Sequence, residues 1–433
     1  ATLCEAPFRR FGFSLAPNMK NQSGGKAPHS KGAKGILMDL DFNAERALEL
    51  LMRFLAVEGV TGQEEKIGKV VVQTLREVRV PRGQIRFDDA NTRIPLPTQT
   101  GNLIVDLPGT KPGPRRLFST HLDTVPLCAG AKPIRKGKRI ISDGTTALGG
   151  DNRAGCACLV TLIANLIEKK IPHPPLTILF SVREESGLWG ARFVKPADLK
   201  NPVMGFNVDG RSPRDVTLGA VGAERWDVEI IGKASHAGVH PERGVSSTLV
   251  AALALADIHK HGWFGKVKQD GSEGTSNVGP LGGKAGACAG QATNVVTDYV
   301  HIQGESRSHD NRFVRSITKA YHDAFCQAGR QVVDDQGRGA KVRFRARRDY
   351  YPFRLKQQNP VVQVAQQAAR QAGWEANLRV TAGGLDANWL VRHGVPTITF
   401  GPGQNNPHTV DEYVDIEQFL ESCRYALALA QCW

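Results

Sequence analysis

Two adjacent carboxylates, Glu184 and Glu185, follow an apolar run that begins at Leu176. The run is rich in β-favouring residues and is ended by Ser186 and Gly187, so it predicts a buried strand. Because ligands in open α/β sheets bind outside the carboxyl ends of strands, both carboxylates are expected at a binding crevice. One could ligate a metal ion while its neighbour acts as a general base. For this pair alone, a solvated Glu-Glu turn is an equally good interpretation.

Other ligand-type side chains stand where further strands are predicted to end. One apolar segment runs into His121, and Asp123 follows two residues later, a spacing in which the carboxylate can fix the tautomer of a ligating imidazole. A hydrogen-bonded structural pair is the commoner explanation of this spacing. Asp151 follows a glycine-rich approach to a helix, which could instead bind phosphate, but no Gly-Lys-Ser/Thr is present there. Two more predicted strands lead to Asp209 and His408.

Together these positions supply enough ligand side chains for two metal ions. With one aspartate shared as a bridge, each ion receives one imidazole, one terminal carboxylate and part of the bridge, and room remains for a water molecule. Nitrogen and oxygen donors without thiolate suit zinc, with cobalt or manganese as alternatives. Each signal is weak alone, but five of them at strand ends are hard to attribute to chance. The candidate ligands are His121, Asp151, Glu185, Asp209 and His408.

The elements that must position these side chains alternate between helices and strands, as in an α/β fold. Leu48, Leu51 and Phe54 recur with a helical period and predict a first helix, and Thr61 with Glu64 resembles a capping box for a second. The first helix is predicted at 43–57. Outside the middle of the chain, the other predicted elements are strands at 102–106, 116–120, 203–208 and 396–400 and helices at 155–167 and 360–372.

The length and composition are those of a globular protein with more than one domain. At 433 residues, with 41% hydrophobic and 23% charged residues, two domains are expected. No run approaches the roughly 18 apolar residues that a membrane helix needs, and no apolar signal segment follows the first basic residues. Eight scattered cysteines without a Cys-x-x-Cys pair indicate reduced thiols. These features predict a cytoplasmic protein without membrane partners.

The net charge of +14 is unevenly distributed. Residues 1–37 contain six Lys or Arg and a single Glu, and their Ser, Gly and Pro content predicts a disordered basic tail. This tail could be a transit peptide, or Met38 could be the true start. No cluster of Lys and Arg with interleaved aromatic residues stands out, so nucleic-acid binding is not expected.

Seven short segments carry a resemblance to a known family. They are His-Leu-Asp-Thr-Val-Pro at 121, Gly-Asp-Asn-Arg-Ala-Gly at 150, Glu-Glu-Ser-Gly-Leu-Trp-Gly-Ala at 184, Val-Asp-Gly at 208, Gly-Lys-Ala-Ser-His at 232, Gly-Gly-Leu-Asp-Ala-Asn at 383 and Asn-Pro-His-Thr-Val-Asp-Glu at 406. Jointly they resemble the M20 co-catalytic metallopeptidases, most closely the tripeptidase T-like members. The resemblance implies one metal ion on His121 and Asp209, a second on Glu185 and His408, and a bridge at Asp151.

The resemblance also implies a fold: an α/β, zinc-peptidase-like catalytic domain whose mixed sheet lies between helices, plus an inserted α+β lid domain. Chain order agrees, because the middle of the chain reads strand, helix, two strands, helix and strand, of the split β-α-β kind. The predicted lid elements are strand 226–231, helix 246–261, strands near Thr275 and Ala292, helix 312–329 and strand 341–347. The expected bounds are 38–214 and 351–433 for the catalytic domain and 215–350 for the lid.

The resemblance further implies Glu184 as the general base and Asp123 as the residue that orients His121. It makes His236 in the lid an oxyanion stabiliser, often supplied to a neighbouring subunit's site, so a homodimer through the lid is expected. An imidazolium favours the negative charge of a tetrahedral intermediate. Without the resemblance, His236 would be taken for a surface histidine. The residues implied to contact substrate are Asn294, Arg307, Gly384 and Asp386.

The function expected from this resemblance is hydrolysis of short peptides, most closely removal of the N-terminal residue of tripeptides. Asp209 and the Gly-Gly-Leu-Asp-Ala segment favour a peptidase over a deacylase of N-acyl amino acids. The short spacing between His121 and Asp151 is nearer the carboxypeptidase branch, so that alternative stays open. A non-catalytic peptide-binding protein is the remaining alternative, and the presence of Glu184 argues against it because a binder needs no base.

Overall fold

The computed structural model describes residues 40–432 of the chain. The predicted basic tail at 1–37 and the alternative start at Met38 therefore lie outside the described residues. Within residues 40–432, no helix combines the length and the apolar character needed to cross a membrane.

Helices of the described chain begin where the sequence supplies a capping side chain or a tight turn. The Asn43 side chain accepts a hydrogen bond from the backbone N–H of Arg46, and Asn359 caps a later helix in the same way. The helices are α1 (Ala44–Leu55), α2 (Glu65–Glu77), α3 (Gly150–Glu168), α4 (Trp189–Phe193), α5 (Ser247–Lys260), α6 (Asn311–Gln331), α7 (Pro360–Gln371), α8 (Asp386–Arg392) and α9 (Ile416–Gln431).

The strands follow the apolar runs and alternations of the sequence. In chain order they are β1 (Ile85–Phe87), β2 (Leu103–Leu107), β3 (Arg116–His121), β4 (Ile134–Lys136), β5 (Arg139–Ile141), β6 (Leu176–Ser181), β7 (Met204–Val208), β8 (Asp215–Ala220), β9 (Gly222–Ile231), β10 (Gly265–Gln269), β11 (Ser272–Gly282), β12 (Tyr299–Ser308), β13 (Lys341–Tyr350), β14 (Phe353–Arg354), β15 (Asn377–Thr381), β16 (Thr397–Phe400), β17 (Gln404–Asn405) and β18 (Tyr413–Asp415).

Nine strands of the described chain form one mixed sheet in the order β1-β2-β6-β3-β7-β16-β8-β14, with β15 beside β8. The four neighbours β6, β3, β7 and β16 run parallel, so their carboxyl ends meet at one edge. Neighbouring residues of β3 point to opposite faces of the sheet. Phe118 packs in the apolar cluster with α1, α3 and α9, and Leu117 packs in a separate cluster with α8. The sheet therefore lies between helices, as predicted.

A second sheet, with five strands among the described residues, is antiparallel in the order β10-β11-β12-β9-β13. Helices α5 and α6 cover one face, where Trp226 packs against Tyr321 at a ring-centroid distance of 4.5 Å. Its opposite face carries polar and charged side chains. This is the inserted α+β domain that the chain order predicted. β8, which the sequence assigned to the lid, pairs in the nine-stranded sheet, so the inserted sheet begins at Gly222.

Two predicted local features are wrong. No strand forms at Ala292 in the described chain; the pairing strand is β12, because its Val300 and Ile302 alternate toward the helices. Thr61 and Glu64 form no capping box either, since Thr61 Oγ1 bonds Ser186 Oγ at 2.9 Å. The Glu64 carboxylate instead accepts backbone N–H groups from the loops around it.

Candidate metal centre

Parallel strands bring the predicted ligands to one edge of the large sheet. His121 is the last residue of β3, and Asp209 directly follows β7. Glu185 stands four residues after β6, and Asp151 lies in the first turn of α3, where its φ and ψ of −84° and 98° depart from helical values. His408 follows β17 in the loop that leaves β16. Chain segments far apart in sequence thus converge because their strands end together.

His121 faces two of the predicted carboxylates. Its Nε2 lies 3.1 Å from Asp151 Oδ1 and 3.6 Å from Asp209 Oδ1. Its Nδ1 lies 3.0 Å from the backbone carbonyl of Asp123 and 3.4 Å from that residue's Oδ1. A proton on Nδ1 therefore leaves the Nε2 lone pair directed at the carboxylates, the orientation that a metal-ligating imidazole requires.

His408 forms a second, matching group. Its Nε2 lies 2.9 Å from both carboxylate oxygens of Glu185 and 3.6 Å from Asp151 Oδ2. Asp151 therefore directs one oxygen toward each histidine. Donor atoms within 4.8 Å of one another form three groups in the described chain, and Asp151 belongs to the groups of both histidines. The third group joins His121 with Glu184 and Glu185.

Asp123 orients the two glutamates as well as the histidine. Its carboxylate accepts the backbone N–H of Glu184 at 3.0 Å and that of Glu185 at 3.1 Å. The pair of glutamates is therefore held at the sheet edge by a side chain from the neighbouring strand end. This explains why Glu184 and Glu185, which lie beyond the end of β6, stand close to His121.

The electrostatics of the cluster favour a bound cation. Burial raises the pKa of Glu184 and of Asp209, and it raises that of Glu185 to about 7. Burial opposes ionisation of Asp151 too, but hydrogen bonds from the two histidines hold its pKa below the usual range. Hydrogen bonds to Asp151 and Glu185 raise the pKa of His408 to about 10. Buried carboxylates with nitrogen donors and no thiolate are a set that divalent ions such as zinc bind, so these residues fit a metal centre.

Two buried residues that support the centre were not predicted. The Glu412 carboxylate accepts the backbone N–H of Gly149 at 2.8 Å and that of Asp151 at 2.9 Å. The Asn152 amide donates to Asp209 Oδ1 at 3.2 Å. Glu412 stands four residues after His408 and Asn152 directly after Asp151, so proximity to candidate ligands was the available signal.

A cavity of about 280 Å³ opens at the cluster. Gly384 lines it together with Glu184 and the candidate ligands of α3, β7 and the His408 loop. Asp386, also predicted to contact substrate, is 1% exposed and accepts a hydrogen bond from Ser181 Oγ. The first turn of α8 thus buries the Asp386 carboxylate at the end of β6, outside the lining of the cavity, and its contact with substrate stays a prediction.

His236 and Asn294 lie next to each other on the inserted domain. Residues 236 and 295 form an isolated β-bridge, and the backbone N–H of Ala237 bonds the Asn294 carbonyl at 2.9 Å. His236 is exposed, and its Nδ1 accepts N–H groups of Gly238 and Val239, each at 3.2 Å. Its proton is therefore on Nε2, which is available as a donor. Neither His236 nor Asn294 is among the described residues that line the cavity at the metal ligands.

Tyr350, the last residue of β13, connects the inserted domain to the cavity and was not predicted. A Cβ added to Gly384 would lie 2.5 Å from its Cζ and 2.8 Å from its hydroxyl oxygen, so only glycine fits there. Burial raises the pKa of Tyr350 to about 12, and the charges of Arg307 and Glu184 both act on its hydroxyl. Arg307, a predicted substrate contact, shares the cross-strand partner Ala223 with Tyr350 and is not among the described residues that line the cavity.

A mixed sheet with histidine and carboxylate ligands at its parallel strand ends, joined to an inserted α+β domain, defines a metal-dependent hydrolase. Residues 117–431 match the family described as Peptidase family M20/M25/M40, and the chain belongs to this family. It is thus a metallopeptidase, and the predicted M20 membership is confirmed.

Relatives of known sequence or structure cover nearly the whole chain. The uncharacterized protein YqjE of Bacillus subtilis is 30% identical over 391 residues, 90% of this chain and 98% of that protein. A tripeptidase from Staphylococcus aureus superimposes with a TM-score of 0.80 at 28% identity, covering 91% of this chain and 98% of that one. The aminopeptidase PepT from Bacillus cereus gives 0.77 at 31% identity, with coverages of 90% and 98%. The predicted resemblance to tripeptidase T is confirmed.

Proposed function

We propose that this protein is an exopeptidase that removes the N-terminal residue of tripeptides, using two zinc ions. One observation carries the proposal: Asp151 directs one oxygen to each histidine, while Glu184 lines the same cavity. The Glu184 carboxylate makes no hydrogen bond to any residue between 40 and 432 that would occupy it. The names of the tripeptidase and aminopeptidase relatives support the N-terminal direction.

The roles of the chain's residues follow from their positions. His121 and Asp209 would hold one ion, Glu185 and His408 the other, and Asp151 both. When bound, these ions would lower the pKa of a water molecule and polarise the scissile carbonyl. A Glu184 carboxylate oxygen takes the proton of that water and passes it to the leaving amine nitrogen. The burial that raises the pKa of Glu184 suits this role, since the group must hold a proton during the reaction.

Mass spectrometry of reaction products tests the direction of cleavage. Zinc-loaded protein would be given free tripeptides, their C-terminal amides and their N-acetyl derivatives, with the Glu184→Ala variant as a control for contaminating peptidases. Loss of the N-terminal residue from free tripeptides, with N-acetyl tripeptides intact, is the expected result. Release of the C-terminal residue would establish a carboxypeptidase, and release of acetate a deacylase. Binding of two metal ions without hydrolysis of any substrate would indicate a peptide-binding protein.

His236 is proposed to stabilise the oxyanion in the site of a second copy of the chain. Support comes from its exposed position and from the Nε2 proton that its two Nδ1 hydrogen bonds impose. Replacing it by alanine is expected to lower kcat about 10²- to 10³-fold with metal content unchanged, the usual cost of one oxyanion donor. Steady-state kinetics and metal analysis check this, and unchanged kinetics would exclude the role.

A complementation experiment tests whether His236 acts between subunits. The His236→Ala and Glu184→Ala variants are each expected to be inactive, but in a mixed dimer one site receives both an intact Glu184 and the partner's His236. Co-expression of the two variants should therefore restore activity at up to roughly a quarter of the sites. No recovery in verified mixed dimers would contradict action across the dimer.

A further inference from the structure

Arg307 is already engaged by a carboxylate of its own strand. Glu305 and Arg307 lie two residues apart on β12 and so share a face of the inserted sheet. The Arg307 Nη2 donates to Glu305 Oε2 at 3.0 Å, and its Nε lies 2.9 Å from Oε1 without the geometry of a hydrogen bond. The carboxylate of Glu305 thus occupies the guanidinium with a charge-assisted contact of the kind that a peptide's terminal carboxylate would make.

The pair lies in the inserted sheet near Tyr350, a residue that contacts the lining of the cavity at the candidate ligands. Arg307 on β12 and Tyr350 on β13 are both cross-strand partners of Ala223 on β9, and the Tyr350 ring lies against Gly384 of the cavity lining. The side chains of Glu305 and Arg307 are 30% and 29% exposed, so the ion pair is accessible to a ligand. A peptide carboxylate that approaches Arg307 therefore meets a guanidinium that is already paired with Glu305.

Glu305 also has a second cationic neighbour. It lines a separate cavity of about 760 Å³ on the open face of the inserted sheet, together with Arg225. Glu305 and Arg225 are direct cross-strand partners of β12 and β9, and the Arg225 Nε lies 2.6 Å from Asp349 Oδ2. If a ligand displaced the Glu305 carboxylate from Arg307, the carboxylate could turn toward Arg225. The displaced charge would then remain next to a cation.

We propose that Glu305 is a specificity-determining residue that competes with the C-terminal carboxylate of a peptide substrate for Arg307. This inference rests on the proposed function and on the predicted role of Arg307 as a substrate contact, here taken to be the contact of that carboxylate. Glu305 thereby weakens the binding of peptides with a free C-terminus relative to peptides whose C-terminus is neutral. The substrate class that the site prefers depends on this one internal carboxylate.

Binding and kinetics of the Glu305→Gln variant test the competition. Glutamine keeps the side-chain length but removes the charge that holds Arg307. The KM for trialanine is expected to fall roughly 3- to 10-fold, the range of a partly exposed charged contact, while the KM for trialanine amide stays unchanged. An unchanged or raised KM for trialanine would overturn the inference, since it would mean that Glu305 only holds Arg307 in position or has no effect.

Two variants control for other effects. Glu229→Gln removes an equal charge from the same sheet face, where Glu229 lies 3.5 Å from Arg343, and is expected to leave both KM values unchanged. If Glu229→Gln lowers the KM for trialanine as much as Glu305→Gln does, the effect is one of net charge and the inference fails. Adding Arg307→Ala to Glu305→Gln should abolish the gain for the free acid, and a persisting gain would also overturn the inference.

Calorimetry in the Glu184→Ala background separates this inference from the proposed function. Binding of trialanine is then measured without turnover, so the Glu305→Gln effect is visible whichever bond the active enzyme cleaves. Tighter binding of trialanine but not of its amide supports the competition. Binding that Glu305→Gln does not alter overturns the inference alone. Absence of trialanine binding to every variant overturns both the inference and the proposed function.

Discussion

Glu184→Ala is expected to lower kcat about 10²- to 10⁴-fold while the protein still binds two metal ions. Glu184 lines the cavity at the cluster, yet its carboxylate forms no hydrogen bond within the described chain. The two donor groups that contain Asp151 do not include it. Removing it takes away a proton acceptor but leaves the proposed ligands in place. Steady-state kinetics with a tripeptide, combined with metal analysis of the same sample, measures both quantities.

The neighbouring residue supplies a matched control. Glu185 has the same side chain and the same backbone support from Asp123, but its two oxygens lie 2.9 Å from His408 Nε2. Glu185→Ala should therefore lose one metal ion together with activity, whereas Glu184→Ala should lose activity alone. Substantial turnover in Glu184→Ala, or loss of metal from it, would contradict the assignment of Glu184 as the base.

The convergence of the candidate ligands could be predicted because parallel strands end at one edge of a sheet. His121 and Asp209 terminate β3 and β7, and these strands are direct neighbours in the sheet. Each apolar run and the polar residue that follows it are recognisable in the sequence. The proximity of these polar residues can therefore be inferred without knowing the strand order. The same reasoning reached Glu184 and Glu185 beyond β6, because β6 is the other neighbour of β3.

The supporting residues could not be predicted in this way, because tertiary packing alone determines what they contact. Asp386 stands in a motif and looks like a substrate ligand, but the start of α8 turns its carboxylate into the protein toward Ser181. Glu412 looks like a solvated loop acid, yet it is 1% exposed and holds the backbone of Asp151. Tyr350 carries no local signal, since its role arises from the approach of β13 to Gly384.

The inserted domain shows which part of a strand pattern is reliable. The strands predicted at 226–231 and 341–347 lie within the longer β9 and β13, and alternate residues of each pack on α5 and α6. The glycine-rich segment before β12 carries no such alternation, and the strand predicted near Ala292 was wrong for that reason. The Glu305–Arg307 pair was visible in principle, because residues two apart in a strand share a face.

Asp151→Ala is expected to lose both metal ions and with them all turnover. Asp151 directs a separate oxygen to each histidine, with Oδ1 3.1 Å from His121 Nε2 and Oδ2 3.6 Å from His408 Nε2. Alanine would leave each site with one imidazole and one carboxylate, fewer ligands than a tightly bound zinc ion normally has. Zinc titration followed by calorimetry, with elemental analysis after dialysis, measures the stoichiometry.

Comparison with a terminal ligand makes the Asp151 experiment specific. Asp209 belongs to the His121 group and not to the His408 group, so Asp209→Ala should lose one ion and keep the other. Both substitutions remove one buried carboxylate from the same cluster, so a general loss of folding would affect them alike, and circular dichroism would reveal it. A shared ligand must weaken both metal sites at once. Retention of two ions by Asp151→Ala would therefore exclude Asp151 as the bridge. Loss of a single ion, as expected for Asp209→Ala, would exclude it too.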